Sequence, residues 1–223
     1  MPHTPPDRRP SVGAFPPAGV RAVAFDAVGT LVEPWPPVGE AYAAAGCRHG
    51  ITLDAETARS RFRAAWRRQE LADAAATPAF ATSRHRERER WREIVTDVFG
   101  PGGATAAIFA DLWAHFALPA SWRTVRRGAT LAQAAIDAGL VVAVASNFDE
   151  RLLAIAPHLD PLARAAAVFP TSEIGWRKPA AEFFRHLERR LERRPDQLLY
   201  VGDDPDLDVT AAANAGWQSL LVG

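Results

Sequence analysis

The stretch Ala22 to Val32 reads AVAFDAVGTLV. Its apolar opening ends in an acidic residue, Asp26, and the pattern breaks at Gly29 and Thr30. A short run rich in Val and Ala suits a strand buried on both faces of a parallel sheet, and a break after it marks the carboxyl end, where open α/β sheets place their ligands. Asp26 is therefore a candidate nucleophile at the rim of a sheet. An Asp in that position can equally do no more than cap the next helix, so the choice depends on what the rest of the chain brings to the same edge.

Three later stretches answer it. Val141 to Asn147 reads VVAVASN, Gly175 to Pro179 reads GWRKP, and Leu198 to Val209 reads LLYVGDDPDLDV. The segments around them alternate between the two periodicities. The core resumes near Trp122; Thr130 to Ala138 reads as a helix closed by Gly139, and Val141 to Ala145 as a buried strand. Asp149 can cap a helix holding Leu152, Leu153 and Ile155, and Ala167 to Pro170 is a short strand. Pro179 sits at the start of a helix in which Phe183, Leu187 and Leu191 share a face, before the strand Leu198 to Val201. Asp206 to Ala215 is a last helix ended by Gly216, and Ser219 to Val222 a last strand. Strands alternating with helices predict an α/β fold with a doubly wound parallel sheet.

Between the first strand and this series the chain behaves differently. Pro34, Pro36 and Pro37 around Trp35 can continue neither a helix nor a central strand, so the chain leaves the core there. From Val38 to about Leu118 the signals are helical. Asp54 can cap a helix with Ala58, Phe62, Ala65 and Trp66 on one face. Thr82 or Ser83 can cap another, with Trp91, Ile94, Val95 and Val98 in register, and a third carries Ile108, Leu112, Trp113 and Phe116. The aromatic stripes read as the packing of this helical insert rather than as a ligand cage.

The four motifs together resemble the haloacid dehalogenase (HAD) superfamily. AFDAVGTL is similar to its first motif, a strand followed by D-x-D-G-T-L, except that Val28 stands where the second Asp would be. Ser146, Lys178 and the group Asp203, Asp204 and Asp208 fall where the other three motifs belong, in order. PPVGEAYAAAGCRHG, from Pro36 to Gly50, also resembles the branch called haloacid dehalogenase-like hydrolase domain-containing protein 3. The resemblance implies a HAD-like Rossmannoid core over 20–35 and 119–223, with an all-helical cap over 36–118 that excludes water and helps to choose the substrate. Trp35, Arg48 and His49 lie near the expected hinge.

Parallel strands carry Asp26, Ser146 and Asp203 to one edge of the sheet. Two carboxylates brought together there call for a cation, and Mg2+, a hard ion that takes oxygen ligands, is the natural one. The resemblance implies that a carboxylate oxygen of Asp26, the main-chain carbonyl of Val28 and a carboxylate of Asp203 hold it. Asp208 would support the ion through water or from behind, with Asp204 a further acidic neighbour. Ser146 through its hydroxyl and Asn147 through its main-chain amide would bind a phosphoryl group, and Lys178 would neutralise charge on it and on Asp26. Singly, each has a plainer reading: a turn at Ser146 and Asn147, a solvated Lys178, an acidic helix start from Asp203 to Asp208.

Val28 bears on the reaction. The family's phosphatases use the Asp at that place as general acid and base, and such groups contribute about 10²- to 10⁴-fold. Val28 has no proton to give, so a phosphatase of this kind is expected to be weak, or restricted to good leaving groups such as acyl or aryl phosphates. Dehalogenases of the superfamily also lack that Asp, which makes a 2-haloacid dehalogenase-like hydrolase an alternative; they do without metal and without the acidic fourth motif. A non-catalytic pseudo-enzyme that binds a phospholigand or a protein is the third reading.

Composition narrows the partners. The 223 residues carry 26 Lys plus Arg against 26 Asp plus Glu, a formal net charge of zero, so no overall field favours nucleic acid or an anionic membrane. The Arg- and Glu-rich runs Arg84 to Arg92 and Arg189 to Arg194 read as solvated helix faces laced with ion pairs. No apolar run approaches the roughly 20 residues that span a bilayer. A single cysteine, Cys47, makes a cytoplasmic setting the expectation. Residues 1–19, with six prolines among them and no hydrophobic stretch, read as a flexible tail. A small-molecule substrate and a monomer or homodimer complete the expectation.

Overall fold

The structure, a computed structural model, describes residues 15–222. In chain order, β1 (Ala22–Phe25) and β2 (Val32–Pro34) precede four helices, α1 (Val38–Arg48), α2 (Ala55–Ala75), α3 (Arg84–Phe99) and α4 (Gly103–His115). Then follow β3 (Trp122–Thr124), α5 (Arg126–Asp137), β4 (Val141–Ser146), α6 (Arg151–Ile155), β5 (Ala167–Pro170), α7 (Thr171–Ile174) and α8 (Ala181–Leu191). The chain ends with β6 (Leu198–Gly202), a π-helical segment (Pro205–Thr210), α9 (Ala211–Asn214) and β7 (Gln218–Leu221).

Five strands make one parallel sheet in the order β5-β4-β1-β6-β7. β1 is its centre: Phe25 stands opposite Val144 on one side and Val201 on the other. Successive residues serve opposite faces, as a pleated strand requires. Val23 and Phe25 join the larger cluster with Val142, Val144, Leu199 and Val201, whereas Ala22 and Ala24 face the second cluster around Phe183, Phe184, Leu187, Tyr200 and Trp217. The alanines of β1 and β4 are small because those aromatic rings fill the space above them.

The helices after β2 form for the reasons their sequence suggests. Asp54 accepts from the Thr57 amide to cap α2, Ser83 accepts from the Arg86 amide to cap α3, and Gly100, at φ 84°, ends α3. Their apolar faces join the same cluster as Val23 and Phe25: Tyr42, Ala58, Val95, Val98, Ile108 and Leu112 are all members.

Three features go beyond the sequence expectations. The proline-bearing exit is itself a strand, since β2 pairs antiparallel with β3 in a separate two-stranded ribbon, with Pro34 opposite Trp122; an edge ribbon tolerates a proline that a central strand would not. A second seam ties the helices to the sheet domain. Ala81 and Trp176 form an isolated antiparallel bridge, the Thr82 amide donates to the Gly175 carbonyl at 2.9 Å, and the Arg177 amide donates to the Phe80 carbonyl at 2.9 Å. Finally, the last helix begins with a wide π turn in which the Val209 amide donates to the Asp204 carbonyl at 3.3 Å. Most of the expected tail lies outside the described residues; Phe15, which falls inside them, packs against the larger cluster. Among the described residues, no helix is long and apolar enough to cross a membrane.

Candidate active site

Because β4 and β6 flank β1, the residues at their carboxyl ends converge. Asp26, Val28, Ser146, Asn147, Lys178, Asp203, Asp204 and Asp208 all line one cavity. At its base the Lys178 ammonium donates to Asp26 Oδ1 at 2.7 Å and to Asp208 Oδ1 at 2.5 Å, and all three side chains are buried. Asp203 is more open, and its Oδ1 accepts from the Thr30 hydroxyl at 3.0 Å. One carboxylate oxygen from each of Asp26, Asp203 and Asp208 lies within 4.8 Å of the others.

Two glycines make that crowding possible. A Cβ on Gly29, which sits at φ +91°, would lie 2.3 Å from Asp203 Oδ2, and a Cβ on Gly202 would lie 2.1 Å from Asp208 Oδ2. The π turn completes the arrangement: Asp208 Oδ2 accepts from the Asp204 amide at 3.0 Å, so both its oxygens are engaged, while Asp204 caps the turn through the Asp206 and Leu207 amides. π turns of this kind recur at functional sites.

Asn147 does more than its strand-end position foretold. Its side-chain carbonyl accepts from the Lys178 amide at 2.8 Å and its side-chain amide donates to the Lys178 carbonyl at 3.1 Å. That two-way clamp fixes the lysine's main chain and leaves the Asn147 main-chain amide uncommitted to the clamp. Thr30, buried at the turn after β1, and Asn147's side chain are supports that the sequence reading passed over; the Gly-Thr pair after Asp26 was the available signal for the first.

The electrostatics follow from burial. Burial raises the Asp26 carboxyl to about 6, against the pull of Lys178 and with the help of Asp208 and Asp203. Burial also raises Asp203, opposed by the Thr30 hydrogen bond. For Lys178 burial works downward but is outweighed by Asp26, Tyr200 and Asp208, so its pKa stands well above the usual lysine range and it remains charged. Three carboxylates thus face one ammonium. The surplus of negative charge, with oxygen donors this close, suits a hard divalent cation.

The cavity, about 490 Å³, has a second wall made by the helices, the ribbon and the segment that follows β4. Phe62, Trp66, Trp91, Phe116, Trp122 and Phe148 line it, with Arg63, Arg67, Glu70 and Arg151. The aromatic stripes of α2 and α3 therefore both pack together, as in the contacts of Phe62 and Trp66 with Trp91, and face the site. Helical spacing alone does not distinguish those two uses. Arg48 and His49 are elsewhere, paired with Asp111, and Trp35 lies beneath Arg123, 4.1 Å from its guanidinium carbon.

Beside the site lies a second ionic cluster. Arg177, adjacent to Lys178, donates to both oxygens of Glu87 at 2.7 Å and approaches Asp73 at 3.5 Å. Asp73 also binds Arg90 and, at 2.9 Å, Arg86, which in turn reaches Gln69. Glu87 and Arg90 belong to the run Arg84 to Arg92, expected to be solvated, yet their exposures are 1% and 0%. The reason is position. Both lie on the face of α3 that carries Ile94, Val95 and Val98 inward.

The comparisons with known proteins give the family and the fold. The family model described as "Hydrolase: haloacid dehalogenase-like hydrolase" matches residues 20–216. The human haloacid dehalogenase-like hydrolase domain-containing protein 3 is 28% identical over 209 residues, covering 91% of this chain and 82% of that protein. Among solved structures, the defluorinating L-2-haloacid dehalogenase Rha0230 superposes with a TM-score of 0.71 at 21% identity, over 91% of this chain and 80% of its own. The HAD-hydrolase YfnB from Bacillus subtilis, solved bound to magnesium, gives 0.62 at 15% identity, over 91% and 85%. These last two show the shared fold.

Proposed function

We propose that this chain, which belongs to the haloacid dehalogenase-like hydrolase family, is a Mg2+-dependent phosphohydrolase that works through an aspartyl-phosphate on Asp26. The observation that carries the reading is the Lys178 ammonium held between Asp26 and Asp208 inside a group of three carboxylates. A carboxylate attacking a phosphate must overcome like-charge repulsion, and such a site supplies the countercharge.

A phosphate ester enters with its non-bridging oxygens toward the Ser146 hydroxyl, the Asn147 main-chain amide and Lys178. Asp26 attacks phosphorus in line, the ester P–O bond breaks, and its electron pair leaves on the alcohol or phenol oxygen. Water then attacks phosphorus, the bond to Asp26 breaks, and orthophosphate departs with the carboxylate restored. Asp26, the Val28 main-chain carbonyl and Asp203 would hold Mg2+, with Asp208 behind them, and the ion would neutralise charge on the phosphoryl group. The four helices over 36–118 serve as the cap, holding water away and shaping the substrate space in a cytoplasmic enzyme.

Val28 leaves the first step without an acid, so turnover is confined to esters whose oxygen leaves unprotonated. The same residue supports a second reading, dehalogenation, in which Asp26 attacks carbon and halide departs. Asp203 and Asp208 weigh against it, since that chemistry needs no metal. The deciding assay is phosphate release from para-nitrophenyl phosphate and acetyl phosphate, with Mg2+ and with EDTA, beside chloride release from 2-chloropropionate. Mg2+-dependent phosphate release supports the proposal; halide release that persists in EDTA replaces it with the second reading; silence in every arm leaves a binding protein.

A further inference from the structure

The wall facing Asp26 is unlike its base. Six aromatic residues, Phe62, Trp66, Trp91, Phe116, Trp122 and Phe148, line a cavity of about 490 Å³, a volume that accommodates a small organic molecule. Every indole N–H among them is turned to protein. Trp66 donates to Glu70 at 2.7 Å, Trp91 to Asp149 at 2.8 Å, and Trp122 to the Phe116 carbonyl at 3.2 Å. The guanidinium of Arg151, in the same wall, is also spent, on both oxygens of Asp149 and on the Trp113 carbonyl. Apart from Arg63 and Arg67 at its exposed edge, what this wall presents to a ligand is ring surface with few free hydrogen-bonding groups. A sugar or polyol phosphate seated against the rings would leave most of its hydroxyls without partners there, at the cost of desolvating each. A planar ring would find offset or edge-on partners.

Leaving-group chemistry points the same way. Without an acid at position 28, the departing oxygen must be stable as an anion. A phenol, with a pKa of about 10, meets that condition, and an ordinary alkyl alcohol does not. An acyl phosphate meets it too but offers no ring to the wall. We infer that the substrate is an aryl phosphate monoester, its ring held among Phe62, Trp66 and Trp91 and its phosphoryl group at Asp26 and Lys178. This rests on the phosphohydrolase reading. Asp26 forms the new bond to phosphorus and the aryl P–O bond breaks; the phenolate carries off the electron pair and takes its proton from solvent. Arg63 and Arg67, exposed on α2 and in no ion pair among the described residues, give the cavity mouth a positive rim for a dianion.

The test pairs binding with turnover. Phenylphosphonate and methylphosphonate, which cannot be hydrolysed, are titrated by calorimetry into the Mg2+-loaded protein and into Phe62→Leu and Trp66→Leu. Acetyl phosphate hydrolysis is followed in the unsubstituted protein. Phenylphosphonate binding about tenfold more tightly than methylphosphonate, with the ratio falling toward one in both variants, is the expected result. Equal affinities alongside Mg2+-dependent acetyl phosphate turnover overturn the aryl assignment and leave the phosphohydrolase reading standing. No hydrolysis of acetyl phosphate or of phenyl phosphate in Mg2+ overturns both.

Discussion

Two buried ionic clusters lie side by side in this molecule, entered by consecutive residues, and they are built on opposite terms. Lys178 serves the cluster at the strand edge, where Asp26, Asp203 and Asp208 outnumber the single ammonium. Arg177 serves the other, where Arg90 and Arg177 meet Asp73 and Glu87 one for one, and Arg86, shared between Asp73 and the exposed Glu93, closes the rim. The first is anionic and opens on a cavity. The second is balanced in charge and buried at its heart: Arg90 Nε and Nη2 and Arg177 Nη2 are buried without an acceptor among the described residues, and burial, joined by the neighbouring Arg177, lowers Arg90 to about 10. Trp66 belongs to both, lining the cavity while its ring lies 4.8 Å from the Arg90 guanidinium carbon. An unbalanced cluster that faces a cavity can be completed by what enters it. A cluster already balanced by its own residues asks for nothing further, and here it braces the helices against the loop that carries Lys178.

The contrast can be broken from either side. Asp26→Asn removes the proposed nucleophile and should lower phosphate release by a factor of about 10⁴ or more. It also leaves Lys178 and Asp208 as a neutral pair, so the melting temperature in EDTA should rise by about 2 °C. A variant that melts much earlier would mean that the anionic cluster holds the fold as the one around Arg177 does. Val28→Asp adds a carboxyl where the acid is missing. Hydrolysis of alkyl phosphates by that variant should rise by about 10²-fold, and a flat response would show that the cavity has lost more than a proton donor.

On the Arg177 side, Asp73→Ala strips Arg86, Arg90 and Arg177 of a shared partner. Breaking a buried ionic network by removing one member costs about 3–5 kcal/mol, a fall of about 10 °C in melting temperature for a chain of this size, readable by calorimetry. The smallest effect touches neither cluster. His115 has its pKa lowered by burial and by Arg48, and its Nε2 is buried without a partner among the described residues. The unfolded chain therefore takes the proton more readily, and the stability His115 contributes as a neutral ring is lost as pH falls below about 6.5. Melting between pH 7.5 and 5.5 should drop by about 1 °C more in the unsubstituted protein than in His115→Gln.

The two clusters also differ in how far they could be read beforehand. Asp26, Ser146 and Asp203 were legible because an apolar run that stops at a polar residue marks a strand end, and parallel strands gather such ends at one edge. Lys178 needed the resemblance, since a loop lysine carries no periodicity. The Arg177 cluster was not legible at all. RHRERERWREIV satisfies the pattern of a solvated face so well that only the phase of Ile94, Val95 and Val98 separates Glu87 and Arg90 from their exposed neighbours. The β2–β3 ribbon was hidden for a related reason. Three prolines within four residues describe what a segment cannot join, and the antiparallel partner lies some ninety residues away, at Arg123 for Glu33.

The two seams that join the helices to the sheet have a kinematic consequence. A body attached at one ribbon can swing about it freely. One attached by main-chain bonds at two separated places, the β2–β3 ribbon and the 80–82 with 175–177 contact, keeps both most readily by turning about the line between them. The second of these places holds the main chain of Arg177, the residue before Lys178. If the helices cover the site as proposed, the way in and the placement of the lysine behind it would share one linkage.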